Sequence, residues 1–585
     1  MRIFRDLWWY FVQEKKRYFI GIIFLICAST CSLLPPYVVG VIVDHIQQGS
    51  LTQNILFMWV GLILLVGAVH YTSNFIWRTM IFGSAVRLGR QLRNRLYEHF
   101  TKLSPGFYQK RRTGDLMAHA TNDVQAVEGT AGEGVLTLVD SLIMGGLVII
   151  VMFFLISWEL TLIALIPMPF MAWATSRYGT LLHKRFHKAQ AAFSDLNDKV
   201  QENVAGMRVV KAFGQEEAEK ASFREKSADV VDQNIAVARV DALFEPTISL
   251  IVGISYFLAI VFGAVFVVGG SMTLGELTSF TIYLGILIWP MLALGFLFNI
   301  MERGRASYDR ISKLLAIQPE IVNREGASAR PPRGELTYRI DTFTYPGQQT
   351  PALIDIHFSL QPGETLGIVG KTGSGKTTIL KLLLREFDCQ SDDIEIGGRS
   401  IYDYTFDALR RSIGYVPQDH FLFSATIAEN IAFAKPDASM AEVQRVARLA
   451  HIHDDILGFE DGYDTVVGER GVTLSGGQKQ RISIARALLV NPEILVLDDS
   501  LSAVDANTEE AILKSLKQNR QNKTTLIAAH RLSAIQHADL ILVFDQGRIV
   551  ERGTHAQLIQ QDGWYASTYH NQQLETLVAQ GGMSS

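Results

Sequence analysis

Cysteine and charge are both scarce in this chain. The three cysteines among 585 residues, Cys27, Cys31 and Cys389, are too few and too scattered for a disulfide framework or a zinc site. Charged residues make up 19% of the chain against 48% hydrophobic residues, and the formal net charge is −4. Because nucleic-acid-binding domains usually carry a basic face, we expect no nucleic-acid partner.

The N-terminus also lacks the pattern of a signal peptide. Residues 1–17 mix the consecutive aromatic residues Trp8 to Tyr10 with five basic residues. This composition predicts an amphipathic helix on the membrane surface, with a short soluble helix as the alternative.

Long uncharged stretches dominate the first half of the chain. A membrane-spanning helix needs about 20 apolar residues, and buried soluble helices rarely stay uncharged for that long. Six stretches without Asp, Glu, Lys or Arg predict six spanning helices and a lipid bilayer as partner. These are Tyr18–Val43, Ile55–Trp77, Ser141–Trp158, Leu160–Ser176, Pro246–Gly275 and Leu277–Met301.

The distribution of Lys and Arg predicts the orientation of these helices. The connection Arg78–Gly134 holds nine such residues and Arg177–Glu245 holds eleven, whereas the short loops near Gln47, Glu159 and Ser271 hold none. Basic connections usually face the cytoplasm, and six spans are an even number. We therefore expect a multi-pass membrane protein with both termini in the cytoplasm.

The two long connections are predicted to be helical. Apolar residues recur every fourth position from Leu88 to Phe100, which extends the membrane helices into the cytoplasm. We expect these extensions to end in turns at Thr113–Asp123 and Phe213–Ala218 that contact the second domain; solvated helical hairpins are the alternative.

Ionisable residues are rare at membrane depth and count as functional candidates there. In this chain they are His70, Asp140 and Glu245. For each, a structural role is as consistent with the sequence as contact with a substrate.

The second half alternates short β-rich runs with helices and contains a P-loop. Gly370–Thr377 matches G-x-x-x-x-G-K-[ST] between a predicted strand and a predicted helix, so its backbone N–H groups can wrap phosphates. We expect Lys376 to reach the β- and γ-phosphates of ATP and Thr377 to hold Mg²⁺. The predicted nucleotide-binding residues here are Gly370, Lys371, Thr372, Gly373, Ser374, Gly375, Lys376, Thr377 and Thr378.

Two further motifs follow the P-loop. The apolar run Ile494–Asp498 ends in a carboxylate more than 100 residues later, as in a Walker B strand, and predicts Asp498 as a Mg²⁺ ligand. The segment Leu474–Gln478, here called the signature, places a Gly-Gly turn at a helix N-terminus and predicts a second anion site. Such a site is redundant within one domain, but it can cap the γ-phosphate held by a second copy. The residues concerned are Ser475, Gly476, Gly477 and Gln478.

With these motifs the chain resembles, along nearly its whole length, an exporter-type half-transporter of the ABC superfamily. The resemblance implies a type I exporter-like α-helical membrane domain, with six spanning helices and long cytoplasmic extensions, fused to an α/β P-loop ATPase domain. It also implies two nucleotide sites sandwiched between two ATPase domains. The implied parts are a membrane domain at 1–318, a linker at 319–334, an ATPase domain at 335–570 and a tail at 571–585.

The resemblance assigns further residue roles. Tyr345 would stack on adenine, and Gln418 would sense Mg²⁺ and face the membrane domain. The segment Glu469–Gly471 would contact the coupling turns, Asp505 would cross the dimer interface, and His530 would contact the γ-phosphate.

One position departs from the family pattern. Most ABC ATPases have Glu directly after the Walker B Asp, where it polarises the attacking water, but this chain has Asp499. The carboxylate is withdrawn by one methylene, and misplacement by about 1 Å can cost on the order of a hundredfold in rate. The catalytic residues implied are Asp499, His530 and Gln418, at a site expected to hold ATP and hydrolyse it poorly.

The intact signature would serve a partner's P-loop. We therefore expect a heterodimer with a second ABC half-transporter that carries a Walker B Glu; a homodimer in which Asp499 works slowly at both sites is the alternative. The layout resembles bacterial heterodimeric multidrug exporters, and Arg112–Met117 and Gly134–Ser141 resemble their MdlA-type subunits.

This resemblance implies an ATP hydrolase that exports hydrophobic or amphipathic compounds across the cytoplasmic (inner) membrane, with its ATPase domain in the cytoplasm. A homodimeric lipid or peptide exporter and an ATP-gated channel are alternatives. The fused spans argue against a soluble ABC ATPase.

Overall fold

Helices form almost all of the first half of the chain. The computed structural model describes residues 2–389, 394–468 and 474–581. The chain divides into a membrane unit, Met1–Thr101 with Arg112–Ile317, and an ATPase unit, Lys102–Arg111 with Gln318–Ser585. The helices of the first half are α1 (Arg2–Asp6), α2 (Trp8–Gln13), α3 (Lys15–Cys31), α4 (Leu34–Gln47), α5 (Gln53–Lys102), α6 (Pro105–Gln109), α7 (Thr113–Ala118), α8 (Val124–Gly129), α9 (Val135–Ile150), α10 (Trp158–Leu165), α11 (Met168–Ala205), α12 (Met207–Ala212), α13 (Glu216–Asp241), α14 (Phe244–Val268) and α15 (Leu274–Leu315), with π-helical turns at His119–Asp123, Thr130–Gly134 and Val151–Ile156.

The prediction of six spanning helices is confirmed. Within the described residues, six helical stretches are long and apolar enough to cross a membrane. The longest unbroken helix among them, α5, has 50 residues, or about 75 Å at 1.5 Å per residue, against a hydrocarbon core of about 30 Å. Each helix can therefore continue well beyond the bilayer. The six stretches are Lys15–Gln47, Gln53–Lys102, Thr113–Ile156, Trp158–Ala205, Glu216–Val268 and Leu274–Leu315.

The N-terminal segment is amphipathic, as predicted. Ile3, Leu7 and Tyr10 are buried within the membrane unit, whereas Trp8 is exposed. The Tyr10 hydroxyl donates a hydrogen bond to the carbonyl of Ser84 on α5, which holds the segment against that helix.

The predicted turn at Thr113–Asp123 is wrong. This segment is helical because Asp123 is buried and accepts hydrogen bonds from Arg310 on α15 and from His119. The chain instead reverses around α6, which the structure groups with the ATPase unit. There a Cβ built on Gly106 would lie 3.3 Å from the ring of Phe387.

The second predicted turn, Phe213–Ala218, is confirmed in its first half. Phe213 to Gln215 separate α12 from α13, and Gly214 has φ of +62°, a left-handed conformation that favours glycine. Glu216 already begins α13.

A parallel sheet organises the ATPase unit. Among the described residues it has six strands in the order β10-β9-β3-β8-β7-β6, parallel except for β10, and a separate antiparallel sheet has the order β2-β1-β4-β5. The strands are β1 (Leu336–Phe343), β2 (Leu353–Leu360), β3 (Thr365–Gly370), β4 (Ile394–Ile396), β5 (Arg399–Ser400), β6 (Ile413–Val416), β7 (Ile494–Asp498), β8 (Thr524–Ala528), β9 (Leu540–Asp545) and β10 (Arg548–Gly553). The helices are α16 (Lys376–Leu383), α17 (Phe406–Ser412), α18 (Ile427–Ala432), α19 (Met440–Leu449), α20 (His453–Leu457), α21 (Gly476–Leu489), α22 (Ala506–Asn519), α23 (His555–Gln560) and α24 (Trp564–Gly581).

Two apolar cores hold this sheet. Leu366 and Ile368 of β3 pack with α16 and the antiparallel sheet, whereas Val369 packs with residues of α18, α19 and α21. The five parallel strands are mostly buried along their whole length, which is usual where both faces of a parallel sheet are covered.

Three predictions concern the linker, the C-terminal tail and a contact segment of the ATPase unit. Between α15 and β1 the chain is irregular, where the linker was expected. Residue 571, the expected start of a tail, lies inside α24. The segment Glu469–Gly471, expected to contact the coupling turns, lies outside the described residues.

A buried arginine near the start of β7 offers a test of this packing. Arg520 is 6% exposed and donates hydrogen bonds to the carbonyls of Pro492 (3.0 Å) and Thr524 (3.2 Å). Arg520→Met leaves these acceptors unpaired, so we expect the free energy of unfolding to fall by about 1–3 kcal/mol. The melting temperature of the full chain in detergent should drop, while the control Arg552→Met, at an exposed position of β10, should not lower it. Equal melting temperatures for the two variants would contradict the assignment.

Candidate functional site

The sheet topology brings the predicted nucleotide residues together. Strands β3, β8 and β7 are consecutive neighbours and run parallel, so their carboxyl ends meet at one edge. The P-loop follows β3, Asp498 ends β7, and His530 lies just after β8. β6 lies next to β7 and leads to Gln418 at the same edge.

A cleft of about 680 Å³ lies at this edge. The predicted residues that line it are Tyr345, Thr372, Gly373, Gly375, Lys376, Thr377, Thr378, Gln418, Asp498, Asp499 and His530. Gln348 and Gln546 also line the cleft, and the sequence did not indicate them because they stand in loops with no recognisable motif.

The P-loop backbone requires glycine at its two ends. Gly370 and Gly375 have φ of +146° and +106°. A Cβ at Gly370 would lie 2.1 Å from the carbonyl oxygen of Phe544, and one at Gly375 would lie 2.8 Å from a methyl of Leu353. Any larger residue would therefore displace the loop from the neighbouring strands.

The P-loop has the polar groups that a phosphate chain needs. Lys376 is 8% exposed, and its Nζ donates hydrogen bonds to the carbonyls of Gly370 (2.8 Å) and Lys371 (3.0 Å). Burial lowers the pKa of Lys376, while the carboxylates of Asp499 and Asp498 act against that shift. Three predicted P-loop residues, Gly370, Lys371 and Ser374, do not line the cleft, and the Oγ of Ser374 is buried with no hydrogen-bond partner among the described residues.

Thr377 and Asp498 form a pair suited to a divalent cation. The hydroxyl of Thr377 donates to Oδ1 of Asp498 at 3.1 Å, and the hydroxyl of Tyr415 lies 3.5 Å from Oδ2. Burial raises the pKa of Asp498, partly offset by the bond from Thr377. Mg²⁺ takes few protein ligands beside substrate phosphates, so a hydroxyl and a carboxylate at the phosphate loop match its needs.

The aromatic ring of Tyr345 is held in place at the cleft. Its hydroxyl donates to Oγ1 of Thr378 at 3.0 Å, and the ring makes edge contacts with Phe343 and Phe387 at 5.1 and 5.0 Å between centroids. A ring that is held at its edge and lines the cleft can offer a face to a planar base.

Asp499 adopts a left-handed backbone conformation, with φ of +46°. Its N–H donates to the carbonyl of Ala528 at 2.8 Å, and its carbonyl accepts from the hydroxyl of Ser502 at 3.0 Å. Asp enters this region more readily than most residues. The backbone is fixed on both sides, so the reach of the carboxylate depends on side-chain length.

The structure does not bring the signature into the cleft. Ser475 and Gly476 are exposed at the N-terminus of α21, and none of Ser475–Gln478 lines the cleft within the described chain. Ser475 and Gln478 form a capping box, and Gln478 also donates to Asp455 at 3.2 Å. A Cβ at Gly477 would lie 2.9 Å from the carbonyl oxygen of Ala503, which keeps the turn close to the segment that ends at Asp505.

Asp505 is likewise engaged within the ATPase unit. It caps α22 by accepting a hydrogen bond from the N–H of Thr508 at 3.0 Å. That bond lowers the pKa of this exposed carboxyl.

The membrane unit has a cavity of about 630 Å³. Its apolar lining includes Trp77, Met144, Trp289 and Phe296, and its polar lining includes His70, Asn74, Glu133 and Asp140. Of the three ionisable candidates from the sequence, His70 and Asp140 line this cavity, and Glu245 does not.

A hydrogen-bond chain orders one wall of this cavity. His70 contacts the carbonyl of Ala28 through Nδ1 at 3.1 Å and the amide of Asn74 through Nε2 at 2.8 Å. The indole N–H of Trp77 donates to Oδ1 of Asn74 at 2.9 Å, which fixes the ring of Trp77.

Comparison with known families agrees with both units. Residues 18–291 match the family described as ABC transporter transmembrane region, and residues 353–502 match the family described as ABC transporter.

Two relatives and one solved structure cover nearly the whole chain. The multidrug resistance-like ATP-binding protein MdlA of Escherichia coli (strain K12) is 50% identical over 575 residues, 98% of this chain and 97% of its own length. The probable multidrug resistance ABC transporter ATP-binding/permease protein YheI of Bacillus subtilis (strain 168) is 48% identical over 575 residues, 98% of each chain. A bacterial Atm1-family ABC exporter solved with ATP bound superposes with a TM-score of 0.80 at 28% identity, over 95% of this chain and 99% of that one.

Two substitutions separate the role of the aromatic ring of Tyr345 from the role of its hydroxyl. Tyr345→Ala removes the ring, and we expect ATP binding to weaken by about 1–3 kcal/mol because base stacking is lost. Tyr345→Phe keeps the ring and loses only the bond to Thr378, so it should bind ATP within about 1 kcal/mol of the unchanged chain. Titration with a fluorescent ATP analogue checks this. Equal weakening in the two variants would contradict stacking.

Proposed function

Because the chain belongs to the ABC transporter family and is an ATP hydrolase coupled to transport, we propose that it is one subunit of a heterodimeric exporter that moves hydrophobic or amphipathic compounds out across the cytoplasmic (inner) membrane. The observation that carries this proposal is Asp499, which stands where the family pattern has Glu, in a chain whose signature is intact. The shorter carboxylate of Asp499 weakens this chain's own site, whereas the intact signature can still serve a partner's site. That combination favours two unequal partners.

Each group of the cleft has a task toward ATP. Tyr345 stacks on the adenine, and the P-loop N–H groups and Lys376 bind the phosphates. Thr377 and Asp498 hold Mg²⁺, with Gln418 beside them. When bound, the cation neutralises charge on the phosphate oxygens.

Hydrolysis at this cleft should be slow. The backbone of Asp499 is fixed through Ala528 and Ser502, so the loop cannot easily advance to make up for the missing methylene. A general base must lie within hydrogen-bond reach of the attacking water. A carboxylate withdrawn by about 1 Å loses on the order of a hundredfold in rate.

The exposed signature supports a role at a partner's cleft. The N-terminus of α21 presents backbone N–H groups and the partial positive end of a 14-residue helix. The signature does not line this chain's own cleft, so a second ATPase domain facing it would supply the γ-phosphate to be capped. That partner, a half-transporter with a Walker B Glu, would provide the fully active site.

The cavity of the membrane unit supports the substrate class. Its volume and its mixture of large aromatic side chains with a few polar groups are typical of sites for drug-sized amphipathic molecules. The two relatives described above are named for multidrug resistance. The basic connections support a cytoplasmic location for the termini and the ATPase unit, where ATP is available.

If the two partners are unequal, substitutions at this chain's ATP site and at the partner's ATP site should have different effects on ATP turnover. The chain and its partner are purified together and reconstituted in lipid vesicles. Changing the partner's Walker B Glu to Gln should abolish most ATP turnover, by on the order of a hundredfold. Asp499→Asn should change turnover far less, because its site contributes little. Asp499→Glu should raise the activity of that site.

Two outcomes contradict the heterodimer. In the first, ATP turnover stays near normal after the partner's Glu is changed. In the second, the chain hydrolyses ATP briskly by itself in lipid, as an active homodimer would.

The substrate cavity is tested with an amphipathic dye. Trp289→Ala removes an aromatic wall, so we expect slower ATP-dependent dye efflux from vesicles that contain both subunits. Trp173 is a matched control, since it is an exposed tryptophan of α11 outside the cavity, and Trp173→Ala should keep efflux near normal. Unchanged dye efflux in Trp289→Ala, with slower movement of a labelled lipid, would favour the lipid exporter instead.

A further inference from the structure

Helix α24 reaches the loop that carries His530. Gln572 on this helix donates a hydrogen bond from Nε2 to the carbonyl of His530 at 2.9 Å. Its Oε1 accepts a hydrogen bond from the N–H of Leu532, also at 2.9 Å. The side-chain amide of Gln572 thus bonds to the backbone on both sides of Arg531, as a donor on one side and as an acceptor on the other.

The same loop is held on its opposite side by α22. Arg531 donates from Nη1 to the carbonyl of Val504 at 3.1 Å and lies 3.6 Å from the carboxylate of Glu509. The hydroxyl of Ser533 donates to Glu509 at 2.7 Å, and Glu509 is 3% exposed. Removing α24's contacts would therefore leave the loop anchored on one side.

Helix α24 is itself firmly placed where it begins. The N–H of Trp564 donates to the carboxylate of Glu551 on β10 at 2.6 Å. Tyr565 is fully buried, and its hydroxyl lies 2.8 Å from Nδ1 of His555. Gln572 follows Tyr565 by seven residues, two turns of helix, so its amide is presented from a fixed base.

The backbone at His530 decides where its imidazole lies. His530 lies two residues after the end of β8 and lines the cleft with Lys376 and Asp499. A shift in its φ and ψ would move the ring by more than the length of a hydrogen bond, because the ring extends several ångströms from the backbone. Holding the carbonyl of His530 and the N–H of Leu532 restricts those angles.

We propose that Gln572 is a positioning residue for His530, through which helix α24 sets the contact of the imidazole with the γ-phosphate. This inference rests on the proposed function, in which His530 contacts that phosphate. ATP has the γ-phosphate and ADP lacks it, so Gln572 contributes to the discrimination between the two nucleotides at this chain's site.

The test measures ATP and ADP affinities separately. The full chain is purified with its partner, whose P-loop Lys is changed to Ala so that nucleotide binds mainly at this chain's cleft, and ATP or ADP displaces a fluorescent ATP analogue. Gln572→Ala should lower the ratio of ATP to ADP affinity by roughly threefold to tenfold, the size of one lost hydrogen bond. Gln572→Glu should do the same, because a carboxylate oxygen would face the carbonyl of His530.

Gln573 is the matched control. It is the next residue of the same helix, is exposed, and contacts Tyr569 at 2.8 Å. Gln573→Ala should leave the ATP to ADP ratio unchanged. If Gln573→Ala lowered the ratio of ATP to ADP affinity as much as Gln572→Ala does, the proposal would be overturned, since the effect would belong to the helix in general.

A double variant separates positioning from stability. If Gln572 acts through His530, then Gln572→Ala should cause no further change in the His530→Ala chain. Additive losses, or an equal loss of ATP and ADP affinity with a lower melting temperature, would show a structural role and overturn the proposal. A wild-type chain that binds neither nucleotide would overturn the proposed function as well, so the two failures are distinguishable.

Discussion

The hydrogen bond between Thr377 and Asp498 joins segments 121 residues apart and depends on the whole sheet. Asp498 is 3% exposed, and a carboxylate at that depth is costly unless it has partners. The hydroxyl of Thr377 lies within hydrogen-bond distance of Asp498 because β3 and β7 are both hydrogen-bonded to β8 and all three strands run in the same direction. A slip of one residue in β7 would turn Asp498 to the other face of the sheet and separate it from the P-loop.

The local patterns of the sequence predicted much of this arrangement. Six uncharged runs, the P-loop and the strand that ends in Asp498 are each visible within about 20 residues, because bilayer thickness and phosphate geometry act over that length. The helical course of Thr113–Asp123 was not visible, because it depends on Arg310, which lies 187 residues from Asp123. Gln572 was missed for the same reason, since its partners at His530 and Leu532 precede it by about 40 residues and no motif marks it.

Asp499 and the signature lie on different surfaces of the ATPase unit. Asp499 lines the cleft of this chain's own P-loop, whereas Ser475 and Gly476 are exposed at the N-terminus of another helix. A change at Asp499 therefore need not disturb the signature. The two are still connected, because Gln480 of the signature helix accepts a hydrogen bond from the N–H of Ala503 at 3.0 Å, four residues beyond Asp499. Loss of catalysis at one site can thus coexist with an intact contribution to the other.

In the membrane unit, the imidazole of His70 is likewise paired. In hydrocarbon an unpaired ring nitrogen is costly, and His70 has partners for both of its nitrogens, the Ala28 carbonyl and the Asn74 amide. Because Asn74 accepts from Trp77 through its oxygen, its NH₂ group faces Nε2 of His70, and Nδ1 is left as the donor to Ala28. His70 thereby orders one wall of the cavity, which Asp140 also lines. The ring of Trp77, held by Asn74, belongs to the same lining, so the cavity combines a fixed aromatic surface with a carboxylate.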